Sequence, residues 1–421
     1  MAEGTAPRRD DLHDAASASL GSTNRRLDDF TFRVAMLAAR SVLRSGNIEI
    51  TYRDDPPAVY GDGAGHPFKV QINSARFLRR ILPAPDLAIG EGYVDGEWDL
   101  KSGDLANLIG TLLRNDEELR RRAAMKVLTV LYDCLVDPHK INDPAHSRKN
   151  VAHHYDIGND LYRVFLDEGM NYSCAFFEHP GQSLRDAQLN KLRTSVRRLG
   201  VGSGMHVLDI GSGWGELTRT IARETEAERV VGITLAEEQC KLSRERIAPE
   251  HGNRLSYLLQ DYRLHAAQNP GAYDRIVSVG MFEHVGKHQF VDYFRAIGAM
   301  LKNGGCALVH SIMRPQKGFT SPWIDKYIFP GGYIPMLSEL LDSVKKAGLR
   351  VSADPFIHES FHYANTLRHW RQRFNNGYPT LDHNHYDARF RRMWNFYLAG
   401  SEAAFDATGF HVAQVRIDKP G

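Results

Sequence analysis

The polar residues that could do chemistry fall just after short apolar runs. In His206-Val-Leu-Asp-Ile-Gly-Ser-Gly-Trp-Gly-Glu-Leu217 an apolar run carrying Asp209 stops at closely spaced glycines, and an amphipathic segment begins. That order predicts a strand, a tight turn and a helix start, with Gly211 and Gly213 letting the backbone approach a nucleotide-type ligand at the carboxyl end of a parallel strand. The G-x-G-x-G form departs from the dinucleotide fingerprint and no Walker lysine follows, which argues against phosphate as the ligand. Later apolar runs end in Thr234 with Gln239 a turn further, in Gln260-Asp-Tyr262, in Gly280-Met-Phe-Glu-His-Val-Gly286 and in His310-Ser-Ile312. Ahead of them, His153-His-Tyr-Asp-Ile-Gly-Asn-Asp-Leu-Tyr162 and Met170-Asn-Tyr-Ser-Cys-Ala-Phe-Phe-Glu178 mix polar groups with aromatics.

Singly, these residues have plainer readings. Cys174 alone reads as a small buried hydrophobe, and His310 in an apolar strand as a satisfied core histidine. Glu283 and His284 have the wrong spacing for joint metal ligation, since adjacent side chains point apart and no third ligand follows, so no metal site is expected. His153-His154 and His383-Asn-His385 read as turn or capping residues, and the aromatics of 361–405 as core.

The elements that must position these groups follow from periodicity. Leu189, Leu192, Val196 and Leu199 form a helical stripe stopped by Gly200. Strands are expected at 206–210, 229–235, 255–260, 273–279, 306–312 and 411–417, with helices between and at 361–376 and 386–405. The alternation predicts an α/β fold with a doubly wound parallel sheet. A smaller α+β domain is expected at 25–115: a helix near 30–44, strands at 48–52 and 68–72, a turn-rich Gly90-Glu-Gly-Tyr-Val-Asp-Gly-Glu-Trp98, and a helix from Leu105. Residues 1–24 read as a disordered tail, 116–149 as a helical linker and 150–421 as the catalytic domain. The basic run Arg120-Arg-Arg122 beside Met125, Val127 and Leu128 reads first as a solvated linker helix and second as a membrane-surface helix.

The glycine-rich turn with Asp209 and the strand after it resembles the S-adenosylmethionine site of class I methyltransferases. On that resemblance Gly211, Ser212, Gly213 and Trp214 lie beside the methionine moiety, with Tyr172 and Ser173 near its carboxylate. Thr234 and Gln239 serve the ribose, and Gln260 with Asp261 the adenine side. Where many such enzymes carry an acid at the end of the second strand, this chain has the neutral Thr234 and Gln239. The motifs around 153–162, 170–178, 206–217 and 277–286, with Pro322-Trp-Ile-Asp-Lys-Tyr-Ile-Phe-Pro330 and the Gly90–Trp98 stretch, resemble cyclopropane-fatty-acid synthases in order and content. That family often has Cys in place of Ser212.

The resemblance implies methylene transfer from S-adenosylmethionine to the cis double bond of an acyl chain in a membrane phospholipid. Alkylation leaves a carbocation, and a bound bicarbonate takes a proton from the new methyl as the ring closes. Groups matching Cys174, Glu283, His310, Ile312 and Tyr363 hold that bicarbonate. Glu283 must meet it through the bicarbonate hydroxyl or a shared proton, because two bare anions repel. Rings such as Tyr172, Phe176, Phe282 and Tyr333 could stabilise the cation. Rival readings are a relative giving a methyl-branched, methylene or hydroxylated chain, a silent lipid-binding protein, and a small-molecule methyltransferase, which would have no need of the first domain.

The whole chain fits these readings. Its 421 residues suggest two domains, and 53 basic against 51 acidic residues leave a formal charge of +2, no basis for nucleic-acid binding. Four scattered cysteines, without a C-x-x-C pair, point to a reduced, cytoplasmic protein. Without an apolar run of spanning length the protein reads as soluble or peripheral; the family resemblance implies association with the inner face of the membrane, helped by the first domain, and a possible homodimer.

Overall fold

The computed structural model describes residues 28–121 and 157–421, Phe319 excepted. The chain divides into two compact units, Met1–Leu119 and Arg120–Gly421. The histidines at 153 and 154 and most of the expected linker helix lie outside the described residues.

In the first unit a helix at 28–42 precedes a 4-stranded sheet. Its strands are β1 (Ile48–Tyr52), β2 (Ala58–Tyr60), β3 (Phe68–Ile72) and β4 (Trp98–Ser102), in the order β2-β1-β3-β4. Of the stretch expected to be turn-rich, 90–94 closes the helix Pro85–Val94 and 95–97 turn into β4, with Gly96 at φ 72°. Gly92 serves packing: a Cβ there would stand 2.7 Å from the Phe77 ring and 3.0 Å from Trp98. A bulkier residue would push this helix off the sheet. Trp98 Nε1 then donates to Ile89 O at 2.8 Å, and Arg80 pairs with both Glu91 and Glu97, tying the motif together.

The second unit is a mixed, mainly parallel sheet wound with helices on both faces. Its first strands are β5 (His206–Ile210), β6 (Arg229–Thr234), β7 (Leu255–Leu259), β8 (Tyr273–Val279) and β9 (Leu301–Met313). Then come β10 (Arg350–Val351), β11 (Phe356–His358) and β12 (His411–Asp418). The sheet order is β10-β12-β9-β8-β5-β6-β7, with β11 also on β12. Strands β5 to β9 pair in parallel, whereas β12 runs antiparallel to β9. The chain order reverses between β5 and β8, which is where such a sheet opens a crevice.

Alternation along the strands sorts two cores. Leu208, Ile210, Val231, Ile233, Ile276 and Val309 pack beneath the helix Phe290–Met300. Val207, Val230, Val277 and Leu308 meet the helices Leu184–Leu199 and Glu216–Glu224 on the opposite face. Each fully buried aliphatic side chain contributes on the order of 2 kcal/mol. Helix Leu184–Leu199 begins at Ser183, whose side chain accepts from Asp186 N, and ends at Gly200 with φ 67°. The expected stripe and stop are both present.

Candidate active site

The glycine-rich turn leaves β5 as a backbone cradle. Gly211 (φ 78°), Gly213 (φ 55°) and Gly215 (φ 81°) occupy left-handed conformations that side chains resist. A Cβ on Gly211 would stand 2.9 Å from Met281, and one on Gly215 would stand 2.5 Å from the Tyr257 hydroxyl. The N–H groups of Gly211 and Ser212 both donate to Ile233 O, at 2.9 and 3.0 Å, which pins the turn across the crevice to β6. Asp209 faces the helix Glu216–Glu224, accepting from Thr218 Oγ1 at 2.7 Å. Burial raises its carboxyl to about 6, opposed by the Thr218 hydrogen bond.

Around this turn lies one cavity. Tyr172, Ser173, Gly211, Ser212, Gly213, Trp214, Thr234, Gln239, Gln260 and Asp261, the residues expected at the cofactor, all line it. Their own contacts explain how they are held. Thr234 Oγ1 donates to Gln239 Oε1 at 3.0 Å, so the two neutral residues form a unit at the end of β6. Gln260 Oε1 lies 2.7 Å from His265 Nδ1. Asp261 caps the next helix through Arg263 N and binds the Arg263 guanidinium at 2.7 Å. Trp214 Nε1 donates to Asn159 at 2.7 Å, and the Tyr172 and Tyr397 hydroxyls are 2.7 Å apart.

A second group stands beside the cavity. Ser173 and Met281, His284 and Val285 line the cavity, while their neighbours Cys174 and Glu283 are in the second group. The Ile312 N–H donates to Glu283 Oε1 at 2.7 Å, and Ile312 packs with Tyr363 against Cys174, Phe176 and Val412. Phe176 stacks on His310 with ring centroids 5.9 Å apart. His310 and Ile312 share a face of β9 because strand side chains alternate. The structure thus brings Cys174, Glu283, His310, Ile312 and Tyr363 together.

Cys174, Glu283 and His310 are buried, and Ile312 and Tyr363 are half-buried. Burial raises Glu283 to about 7 against the lowering effect of the Ile312 N–H, and Oε2 is buried with no hydrogen-bond partner among the described residues. Burial also pushes the Cys174 thiol well up and holds His310 well below its ordinary value, so one stays a thiol and the other a neutral imidazole. Gln414 Nε2 lies 3.3 Å from His310 Nδ1 and donates to Ser195 Oγ at 3.1 Å. An amide nitrogen can only donate, so Nδ1 accepts and the imidazole proton sits on Nε2.

Two expected cation-facing rings are elsewhere. Phe282 is in the main core against Phe290, Tyr293 and Phe294, and Tyr333 directs its hydroxyl to Glu339 at 3.0 Å. Sequence reasoning passed over Lys191, Asn171 and His284, which line the cavity. His284 was weighed only as a metal ligand; its offset from Glu283 along a 3-10 turn sends the two side chains to different surroundings. Gln414 and Tyr397 were also missed, and their distance in sequence from their partners left no local signal.

Comparison with known proteins follows the same lines. A family model described as mycolic acid cyclopropane synthetase matches residues 142–415, and a domain of unknown function matches residues 39–124. The tuberculostearic acid methyltransferase UfaA1 of Mycobacterium tuberculosis is 36% identical over 363 residues, covering 82% of this chain and 81% of that protein. The cyclopropane-fatty-acyl-phospholipid synthase of Escherichia coli is 34% identical over 366 residues, covering 83% and 87%. Among solved structures, the mycolic acid cyclopropane synthase CmaA1 complexed with SAH and CTAB has 28% identity and a TM-score of 0.58, covering 65% of this chain and 98% of that one. Coclaurine N-methyltransferase, at 16% identity and a TM-score of 0.65, shares the fold. The chain belongs to the mycolic acid cyclopropane synthetase family and is an S-adenosylmethionine-dependent methyltransferase.

Proposed function

We propose that the protein converts cis double bonds in the acyl chains of membrane phospholipids into cyclopropane rings, with bicarbonate held beside Glu283 as the proton acceptor. The observation that carries this reading is the convergence of Cys174, Glu283, His310, Ile312 and Tyr363 in a largely buried group next to the cavity. When bound, S-adenosylmethionine supplies an electrophilic methyl and bicarbonate a weak base.

The residues present suit both groups. The left-handed glycines and the buried Ser212 hydroxyl, which has no hydrogen-bond partner among the described residues, favour a polar ligand at the turn. At the second group, Glu283 holds a proton near neutral pH or accepts one shared with a hydroxyl, and the His310 imidazole offers a hydrogen to an anion without adding charge, while the Cys174 thiol, which donates to Ala175 O at 3.3 Å, would have to turn to do the same. Exclusion of water keeps a transient cation from capture as an alcohol. Tyr172 and Phe176 are the expected aromatic groups that the structure leaves near these sites.

The phospholipid substrate is supported by similarity to the Escherichia coli synthase, whose name specifies a fatty-acyl phospholipid. Among the described residues no helix is long and apolar enough to cross a membrane, so peripheral contact with the bilayer is part of the proposal. Comparable similarity to UfaA1 favours a second reading, in which the cation left by the same alkylation loses a proton from the chain and gives a methyl-branched alkene. Chromatography with mass spectrometry of fatty acids from unsaturated phospholipid vesicles, after incubation with the protein and S-adenosylmethionine, separates the two. A ring-bearing chain supports the first reading, a branched chain the second, and unchanged lipid contradicts both.

A further inference from the structure

We propose that Lys191 is a cofactor-binding residue whose buried ammonium pairs with the carboxylate of the methionine moiety. Lys191 lines the cavity together with Asn171, Ser173 and Asp209, and is only 2% exposed. Its Nζ donates to Asn171 Oδ1 at 3.2 Å, and among the described residues it has no carboxylate within ion-pair distance. Asn171 is itself fixed, since its N–H and its amide both donate to Asp167, each at 2.8 Å. The helix Leu184–Leu199 thus carries a cation into the cavity wall and a short polar relay aims it.

The energetics argue that this charge serves a ligand. A buried ammonium with one neutral partner costs several kcal/mol relative to a hydrocarbon of equal length. A methionine would fill the same space without that cost. The cavity side also fits: Cys174 and His310, across the helix, do not line the cavity, whereas Lys191 does. A carboxylate at this point meets a cation in a low dielectric, where a charge-assisted hydrogen bond is strong. Burial draws the ammonium down to about 8, against the raising effect of Asp167, Cys174, Asp209 and Glu216, so it is largely charged at neutral pH.

The inference rests on the reading of this cavity as the cofactor site, and the test separates the two. Calorimetry at neutral pH compares S-adenosylhomocysteine, which carries the carboxylate, with 5′-methylthioadenosine, which lacks the amino-acid end. In Lys191→Met the first is expected to bind about 10- to 100-fold more weakly and the second unchanged. Equal binding of S-adenosylhomocysteine by variant and wild type overturns the inference, as does an equal loss for both ligands, which marks a structural role. If the wild type binds neither ligand, the cavity reading itself fails. Should the variant not fold, the wild type is titrated with S-adenosylhomocysteine and its decarboxylated analogue from neutral pH to about pH 9.5. The affinity ratio is expected to fall above about pH 8, facing the carboxylates of Asp167, Asp209 and Glu216, the Cys174 thiol and the His310 imidazole; a flat ratio overturns the inference.

Discussion

The backbone N–H of Ile312 donates to Glu283 Oε1 at 2.7 Å, while Glu283 Oε2, buried in the same place, has no hydrogen-bond partner among the described residues. One oxygen orients the carboxyl and the other is left for chemistry. The folded protein keeps the Glu283 proton to about pH 7, whereas an unfolded chain releases it near the ordinary glutamate value of 4.5. Between those values the folded state binds more protons, so stability falls as pH rises. Glu283→Gln removes that dependence. Denaturant unfolding should show the variant gaining on the wild type from pH 4.5 to 7, by on the order of 3 kcal/mol, while turnover falls about 100-fold or more.

Gly211→Ala tests the backbone cradle. Its φ of 78° strains any side chain, and the new Cβ meets Met281 at 2.9 Å. Thermal melting should report a loss of about 1–2 kcal/mol, with cofactor affinity reduced as well. Shortening Met281 to Ala should remove the Cγ contact and leave both the Cβ contact and the strain, so recovery should be small.

At the end of β6, Thr234 Oγ1 donates to the Gln239 amide oxygen, and both residues line the cavity. Thr234→Val should weaken S-adenosylhomocysteine about tenfold in calorimetry and leave turnover at saturating cofactor unchanged. Combined with Gln239→Leu it should add little, because both act through one contact.

Gln414→Leu addresses the imidazole tautomer. Without the amide beside Nδ1, the proton on His310 Nε2 is no longer specified. Steady-state kinetics should show turnover reduced about tenfold or more with cofactor affinity unchanged.

Much of this was legible in the sequence because the signals are local. Strand ends, the Gly211 to Gly215 turn and the Gly200 stop all depend on a few adjacent residues. The stretch 90–98 reads as turns, which holds for 95–97; 90–94 are helical instead, and only the Phe77 and Trp98 rings facing Gly92 reveal that this glycine allows close packing. Phe282 follows the same logic in reverse: it neighbours Glu283, yet the 3-10 turn directs it into the core. Gln414 reaches His310 through the pairing of β12 with β9, and Tyr397 meets Tyr172 across 225 positions, so neither contact leaves a local pattern. Lys191 was hidden by its helix, where a lysine reads as surface.

The central claim is ring closure by proton loss to a base held at Glu283. It is tested most directly by supplying S-adenosylmethionine with a fully deuterated methyl group to the protein and unsaturated phospholipid vesicles, with and without bicarbonate, and analysing the acyl product by mass spectrometry and NMR. The account predicts a cyclopropane ring whose new carbon has lost one deuteron, formed at a rate that falls when bicarbonate is removed. A product retaining the whole labelled methyl group as a branch, formed at the same rate without bicarbonate, would contradict it.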